Sequence, residues 1–360
     1  MPMNNLRKTF LHSKHVSLGA NLINFGGFDM PLYYTSIAEE HHFVRNNCGI
    51  FDVSHMGQIV ISGEDALNFS NYILTAKIEV SRKIQYALLV NDKGNIVDDL
   101  MVYPFSEDQI LLVVNASNIE KDYDHLLNNK EKFDVVIRNI SDSFGCIAIQ
   151  GPESFNKMSK IFKNLPLHSS DYMYFNDENG PLLISRSGYT GEDGFEVYAH
   201  DSYINQIWDK LYDDGVKPIG LGARDTLRFE AAMPLYGNEM DETINPFEAG
   251  LGFAVDFTKT DFFARNILIN QKDTLTRKSV ALELIDKNIA RSGYEVFFEG
   301  TKIGFITTGY LSPTTKKALA FALIDINYAK LGSTVDIMIR NKYYKAIIRN
   351  KKFINKNNKI

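Results

Sequence analysis

The chain has 360 residues, 44% hydrophobic and 23% charged, which is enough for roughly two or three domains of about 150 residues each. That composition excludes the disordered and fibrous classes. With 39 basic against 44 acidic residues the net charge is −5, so the surface as a whole attracts neither nucleic acid nor an anionic membrane. No run approaches ~18 consecutive apolar residues, so no membrane-spanning helix is expected. The opening MPMNNLRKTF has no apolar stretch of the signal-peptide kind. Cys48 and Cys146 sit in apolar strings and read as buried free thiols, which fits a reducing compartment and a cytoplasmic location.

In chain order, Ser36–Asn46 (SIAEEHHFVRN) is free of proline and glycine and places Ile37, His41 and Val44 on one face, which predicts a short helix. Strand-like runs follow at Met56–Ser62, Gln85–Asn91, Asn95–Tyr103 and Gln109–Asn115, the middle two flanking an Asp92-Lys93-Gly94 hairpin turn. Helices are predicted at Glu64–Leu74, capped by Gly63 or Ser62, and at Ser117–Leu127. A second region carries strands near Cys146–Gln150, Leu182–Arg186 and Phe195–Tyr198. Its helix Asp201–Tyr212 has Ile204, Ile207, Trp208 and Leu211 at buried-stripe spacing, so Trp208 reads as core. Phe257–Arg277 reads as a loop. Beyond it, short β-runs at Ser279–Leu284, Glu295–Phe298, Lys302–Thr308, Ala318–Ile324, Thr334–Arg340 and Tyr343–Ile348, with glycine-marked turns between them, predict a small β-barrel. The basic cluster Arg349, Lys351, Lys352, Lys356 and Lys359 reads as a solvated end.

Common catalytic signatures are missing: there is no P-loop, no G-x-G-x-x-G after a strand, no G-x-S-x-G and no C-x-x-C. The His12/His15 and His41/His42 pairs lack the spacing of a metal site, and no metal is expected. Polar residues inside apolar or glycine-rich strings are more informative. In FDVSHMGQIVISG (Phe51–Gly63), Asp52, Ser54 and His55 read as residues that bond their own backbone. In GNIVDDLMVY (Gly94–Tyr103), strand alternation puts Asp99 with Val97 and Met101, and Asp98 with Ile96, Leu100 and Val102, so the two acids cannot share a pocket. A carboxylate on an apolar strand face is paired or serves a ligand, and both remain open at this point. RSGYTGEDGFEVY (Arg186–Tyr198) is a glycine-rich turn feeding a strand that carries Glu196, a suitable acceptor for the amidine-like edge of a pterin or a guanine. In GLGARDTLRFEAAMPLYGNEMDE (Gly220–Glu242), Arg224 and Arg228 share a face of a helix started by Gly222 and ended by Pro234, and a surface ion-pair ladder is the plainer account.

Taken together, and in this order, these strings resemble the T-protein of the glycine cleavage system. The likeness runs from about Val16 to Ile348 through VSLGANLINFGGFDMPLYY, FDVSHMG, IVDDLMVY, VVNASNIEKD, AIQGPES, SGYTGEDGFEVY, GLGARDTLRFEAAMPLYGNEMDE, NPFEAGLGFAVDF and the barrel string ITTGYLSPTTKKALAFALI. The resemblance implies an α+β, three-domain, ring-like fold. Residues 1–50 with 138–256 would form a discontinuous folate-binding domain, 51–137 an inserted α+β domain, and 275–352 a C-terminal small β-barrel, the two folate-side domains being interleaved in sequence. It implies an aminomethyltransferase that takes the methylene from the aminomethyl-lipoyl arm of the H-protein. Tetrahydrofolate is the co-substrate, and the products are 5,10-methylenetetrahydrofolate, ammonia and dihydrolipoyl H-protein. By position, Asp99 becomes the catalytic aspartate, and Glu196, Arg224, Asn115, Asn118, Tyr86 and Met56 become folate-channel residues. A folate-dependent demethylase of the same superfamily is the alternative. The chain departs from the family at its end: RNKKFINKNNKI has no proline and a single aromatic, Phe353, where relatives carry a folate-touching tail.

Overall fold

Three sheets and an N-terminal hairpin carry the fold in the computed structural model, which describes residues 6–286 and 288–354. A six-stranded sheet runs Tyr172–Asp177, Gly180–Ser185, Gly194–Ala199, Gly145–Gln150, Gly49–Asp52, Lys217–Pro218. Its pairs are antiparallel except the last, which is parallel. A five-stranded antiparallel sheet runs Gln85–Val90, Ile96–Ser106, Gln109–Val114, Gly57–Ser62, Val136–Asn139. The third closes as a barrel, Arg277–Leu284 pairing with both Ala318–Asp325 and Lys342–Arg349.

Side-chain alternation turns these sheets into layers. In the six-stranded sheet, Ile147, Ile149, Phe195 and Val197 pack under the helix Asp201–Asp213, whose Trp208 is 1% exposed. The opposite face, with Phe51, Ala148, Leu183 and Tyr198, packs against Val60, Tyr103, Leu111 and Val113 of the five-stranded sheet. The far side of that sheet, with Ile59, Leu100, Val102 and Leu112, is covered by the helices Ala66–Ile73 and Ile119–Asn128. The two sheets therefore stack face to face with helices outside, and residues on their inner faces point at each other. The barrel has its own interior of Val280, Leu282, Val296, Ile306, Ile324 and Ile337. Its outer wall packs on the helix Leu221–Glu230 through Phe229, Leu319 and Phe321.

Four expectations from sequence need correction. Phe257–Arg277 is not all loop: Arg265–Asp273 forms a helix that buries little besides Leu268, so its hydrophobic stripe is too thin to stand out in sequence. The helix begun near Gly222 stops at Glu230, well before Pro234, because Ala232 adopts a left-handed φ of 60° and turns the chain. The cap of Ala66–Ile73 is Asp65, and its carboxylate accepts from the Asp134 N–H at 3.0 Å and the Asn68 side chain at 3.1 Å instead of from a helix backbone N–H. Finally, the basic end is docked. Arg349 pairs with Glu283 at 2.5 Å, Lys351 donates to Ser279 Oγ at 3.1 Å, and Phe353 is buried between Phe229 and Phe321. Lys356 and Lys359 lie outside the described residues.

Candidate active site

Between the stacked sheets and the helix Leu221–Glu230, packing leaves a cavity of about 320 Å³, bounded by Asp99 and Met101 from one sheet, Glu196 and Tyr198 from the other, and Arg224. A second cavity of about 400 Å³ lies on the barrel side, lined by Leu251, Phe253, Phe321 and Lys351. Tyr86, Asp99, Met101 and Tyr189 line both. Asp99 thus stands at the junction of two chambers.

Its placement depends on an irregularity of the strand Ile96–Ser106. Asp98 and Asp99 pair with Leu89 and Leu88, but Ile96 pairs with Val90, so Val97 is an extra residue bulged out of register. Val97 consequently joins Leu100 and Val102 on the helix side, while Ile96 joins Leu88 on the other. Simple alternation had these two residues exchanged. It also kept the acids apart, whereas Asn115 joins them: its Nδ2 donates to Asp98 Oδ1 and to Asp99 Oδ1, both at 2.9 Å. Asp98 is 0% exposed and also accepts from the Asn115 N–H at 3.0 Å and from Asn118 Nδ2 at 2.6 Å. Asp99 Oδ2 accepts from the Tyr86 hydroxyl at 2.9 Å. Burial first, and the Asp98 charge second, push the Asp99 carboxyl up to about 7, so it titrates near neutrality. Asp122 lies behind the pair, where burial and then the Asp98 charge hold it well above the usual carboxylate range.

Glu196 shares the inner face of its strand with Tyr198, since Phe195 and Val197 point the other way into the core. Ser187 Oγ donates to Glu196 Oε2 at 2.5 Å. The glycine-rich turn before the strand is held by a bidentate pair, Arg186 Nε and Nη2 to Asp193 at 2.9 and 2.8 Å. Of its three glycines only Gly191 uses a positive φ, 79°. Gly188 and Gly194 leave room for the Gln150 side chain, which a Cβ would meet at 2.0 and 2.2 Å.

On the helix Leu221–Glu230, Arg224 and Arg228 serve different ends. Arg224 faces the cavity with its guanidinium 4.7 Å from the Tyr189 ring centroid. Arg228 is no part of a surface ladder. It is completely buried, with Nε 2.7 Å from Asp225 and Nη1 2.7 Å from Glu239. Glu239 also accepts from Thr307 and Thr308 of the barrel. That network fixes the segment Pro234–Asn238, which supplies another wall of the first cavity.

Of the residues singled out in sequence, Asp99, Glu196, Arg224, Asn115, Tyr86 and Met56 line the first cavity together. Asn118 does not; it stands behind the wall on Asp98. Sequence reasoning passed over Tyr189 and Phe253. Tyr189 sits inside the SGYTGEDGF string and was within reach. Phe253, 76% exposed and stacked on Tyr86 at 5.7 Å, carried no signal.

The fold and site together define a mixed α/β enzyme with a closed C-terminal barrel and a two-chambered cavity centred on a carboxylate. Residues 11–259 match the family described as GCVT N-terminal domain, and residues 277–355 the Glycine cleavage T-protein C-terminal barrel domain. The chain is 48% identical to the aminomethyltransferase of Alkaliphilus metalliredigens, over 99% of this chain and 100% of that protein. It is 46% identical to the aminomethyltransferase of Caldanaerobacter subterraneus subsp. tengcongensis, over 99% and 98%. The crystal structure of glycine cleavage system aminomethyltransferase T from Bartonella henselae superposes with a TM-score of 0.91 at 28% identity, covering 97% of this chain and 98% of that one. The chain belongs to the glycine cleavage T-protein family and is an aminomethyltransferase.

Proposed function

We propose that the protein transfers the methylene of an aminomethyl-lipoyl H-protein to tetrahydrofolate, releasing ammonia and leaving 5,10-methylenetetrahydrofolate and dihydrolipoyl H-protein. The observation that carries this reading is the pair of chambers meeting at Asp99. A two-substrate transfer needs two bulky reactants brought end to end at near-attack distance, and such positioning is worth several kcal/mol, roughly 7 or more in the best models. The inner chamber suits a pterin: Glu196 offers an acceptor for its amidine-like edge, and the Arg224 guanidinium, packed on the Tyr189 ring, offers a cation. The outer chamber, walled by Leu251, Phe253 and Phe321, suits an apolar thioether arm.

In this reading Asp99 orients the reacting ring system and stabilises positive charge developing at the transferred carbon, while Tyr86 and Asn115 hold its two oxygens in place. Met56 and Asn115 shape the inner chamber, and Asn118 acts through Asp98. The proposed domains are 1–50 with 138–256, then 51–137, then 275–352. No helix among the described residues is long and apolar enough to cross a membrane, and we place the enzyme in the cytoplasm. The test is ammonia release from aminomethyl-loaded H-protein with and without tetrahydrofolate. Strong stimulation by the folate is expected; release that ignores it overturns the reading.

A further inference from the structure

Of the three polar residues in FDVSHMG, only Asp52 bonds the local turn, and Ser54 instead bonds a neighbouring strand. Asp52 accepts from the Ser54 N–H at 2.9 Å and the Thr9 hydroxyl at 2.6 Å, and its Oδ2 lies 2.8 Å from His15 Nε2. Ser54 Oγ donates to the Cys146 carbonyl at 3.1 Å and accepts from the Cys146 N–H at 2.9 Å. These bonds pin the loop to the neighbouring strand. His55 takes no part in them. It is 2% exposed, and its Nδ1 is buried without a partner among the described residues. A buried polar atom left unpaired costs free energy.

Nδ1 presents no surface to a ligand, so the ring nitrogen that a bound molecule can reach is Nε2, which has no protein partner among the described residues. His55 lines the inner chamber beside Arg224, and the edge-on rings of Phe25 and Phe28, at 5.4 and 6.5 Å, fix its plane. Burial, and next the Arg224 charge, depress its pKa to about 4, so the ring is neutral at working pH. A neutral imidazole has one donor and one acceptor. Arg224 can only donate and an ionised Glu196 can only accept, so His55 gives the wall a polar group that neither supplies.

We propose that His55 is a further ligand-binding residue, hydrogen-bonding the polar edge of the pterin beside Arg224; this rests on the folate reading of the inner chamber. Ring-nitrogen NMR shifts of His55 in the full-length wild type, followed during titration with tetrahydrofolate, test it directly. One ring-nitrogen signal is expected to move on saturation. Calorimetry on His55→Phe is expected to show Kd weakened about tenfold, and on His55→Gln, which keeps a donor and an acceptor, by less than about threefold. Turnover at saturating folate is expected to change less than Kd in both. Unmoved ring-nitrogen signals at saturation, or a His55→Phe variant that binds as tightly as wild type, would overturn the assignment. The wild-type titration stands even if His55→Phe fails to fold. A wild type that does not bind tetrahydrofolate overturns the folate reading itself, whereas one that binds with His55 silent overturns only the ligand-binding role of His55.

Discussion

At the scale of single residues, Asp99 combines two demands that conflict. Its folded-state pKa of about 7 lies above the ordinary carboxylate value of 3.8, so the folded protein holds this proton more tightly than the unfolded chain does. The stabilisation is complete below the unfolded pKa and is lost as pH rises through about 7. Asp99→Asn cannot ionise, so its Tm relative to wild type is expected to rise between about pH 4 and about pH 7 and to level off above that. A constant difference in calorimetry would show that Asp99 ionises like an exposed acid. The same substitution is expected to lower turnover by about 10² or more, since the charge that destabilises the fold is the one assigned to the reacting carbon. Wild-type turnover should fall on the acid side of about pH 7 as Asp99 takes up its proton. Near-normal turnover of Asp99→Asn at any pH removes it from the chemistry. Glu196→Gln is expected to weaken tetrahydrofolate binding by about 1–3 kcal/mol, because the bound edge then meets a donor where it met an acceptor. Unchanged affinity in calorimetry would leave Glu196 a structural role only.

At the scale of elements, the paired strand runs and the barrel were legible in sequence because period-2 alternation and glycine turns are local signals. Glu196 was readable for the same reason: it interrupts an apolar strand. What escaped depends on partners distant in sequence. The bulge at Val97 appears only once Gln85–Val90 lies alongside, and the burial of Arg228 only once Glu239 and the barrel close over it. The helix spacing of Arg224 and Arg228 was right, but spacing alone cannot tell a solvated face from a buried one. Arg228→Met leaves Glu239 and Asp225 without their counter-charge, and the expected cost is about 3–5 kcal/mol in denaturant unfolding. KM for the folate should rise as well, because the wall Pro234–Asn238 loses its anchor. A variant within about 0.5 kcal/mol of wild type would mean that solvent compensates the pair.

At the scale of the whole molecule, the barrel completes the cavity and does not merely adjoin it. Phe321, Ser279 and Lys351 wall the outer chamber, and Phe353 locks the end of the chain onto Phe229 of the site helix. A single aromatic side chain thus ties this segment to the rest. Phe353→Ala is expected to cost about 3–5 kcal/mol and to loosen the barrel against that helix, which proteolysis on the native protein would detect as earlier cutting within residues 277–355. Unaltered proteolysis would make the tail dispensable.

The placement of Trp208 has an optical consequence. It is the only tryptophan in the chain, it is sealed under the six-stranded sheet, and it is not among the residues lining either chamber. Intrinsic emission therefore reports whether that layer is folded and should stay silent while the chambers fill. Phe253, at the mouth and stacked on Tyr86, is the place for a second fluorophore. In a Phe253→Trp, Trp208→Phe protein, emission should shift as the lipoyl carrier of the proposed reaction arrives, while the Trp208 signal of wild type stays flat under the same titration. A wild-type signal that follows the carrier would show that the sealed layer feels the site after all.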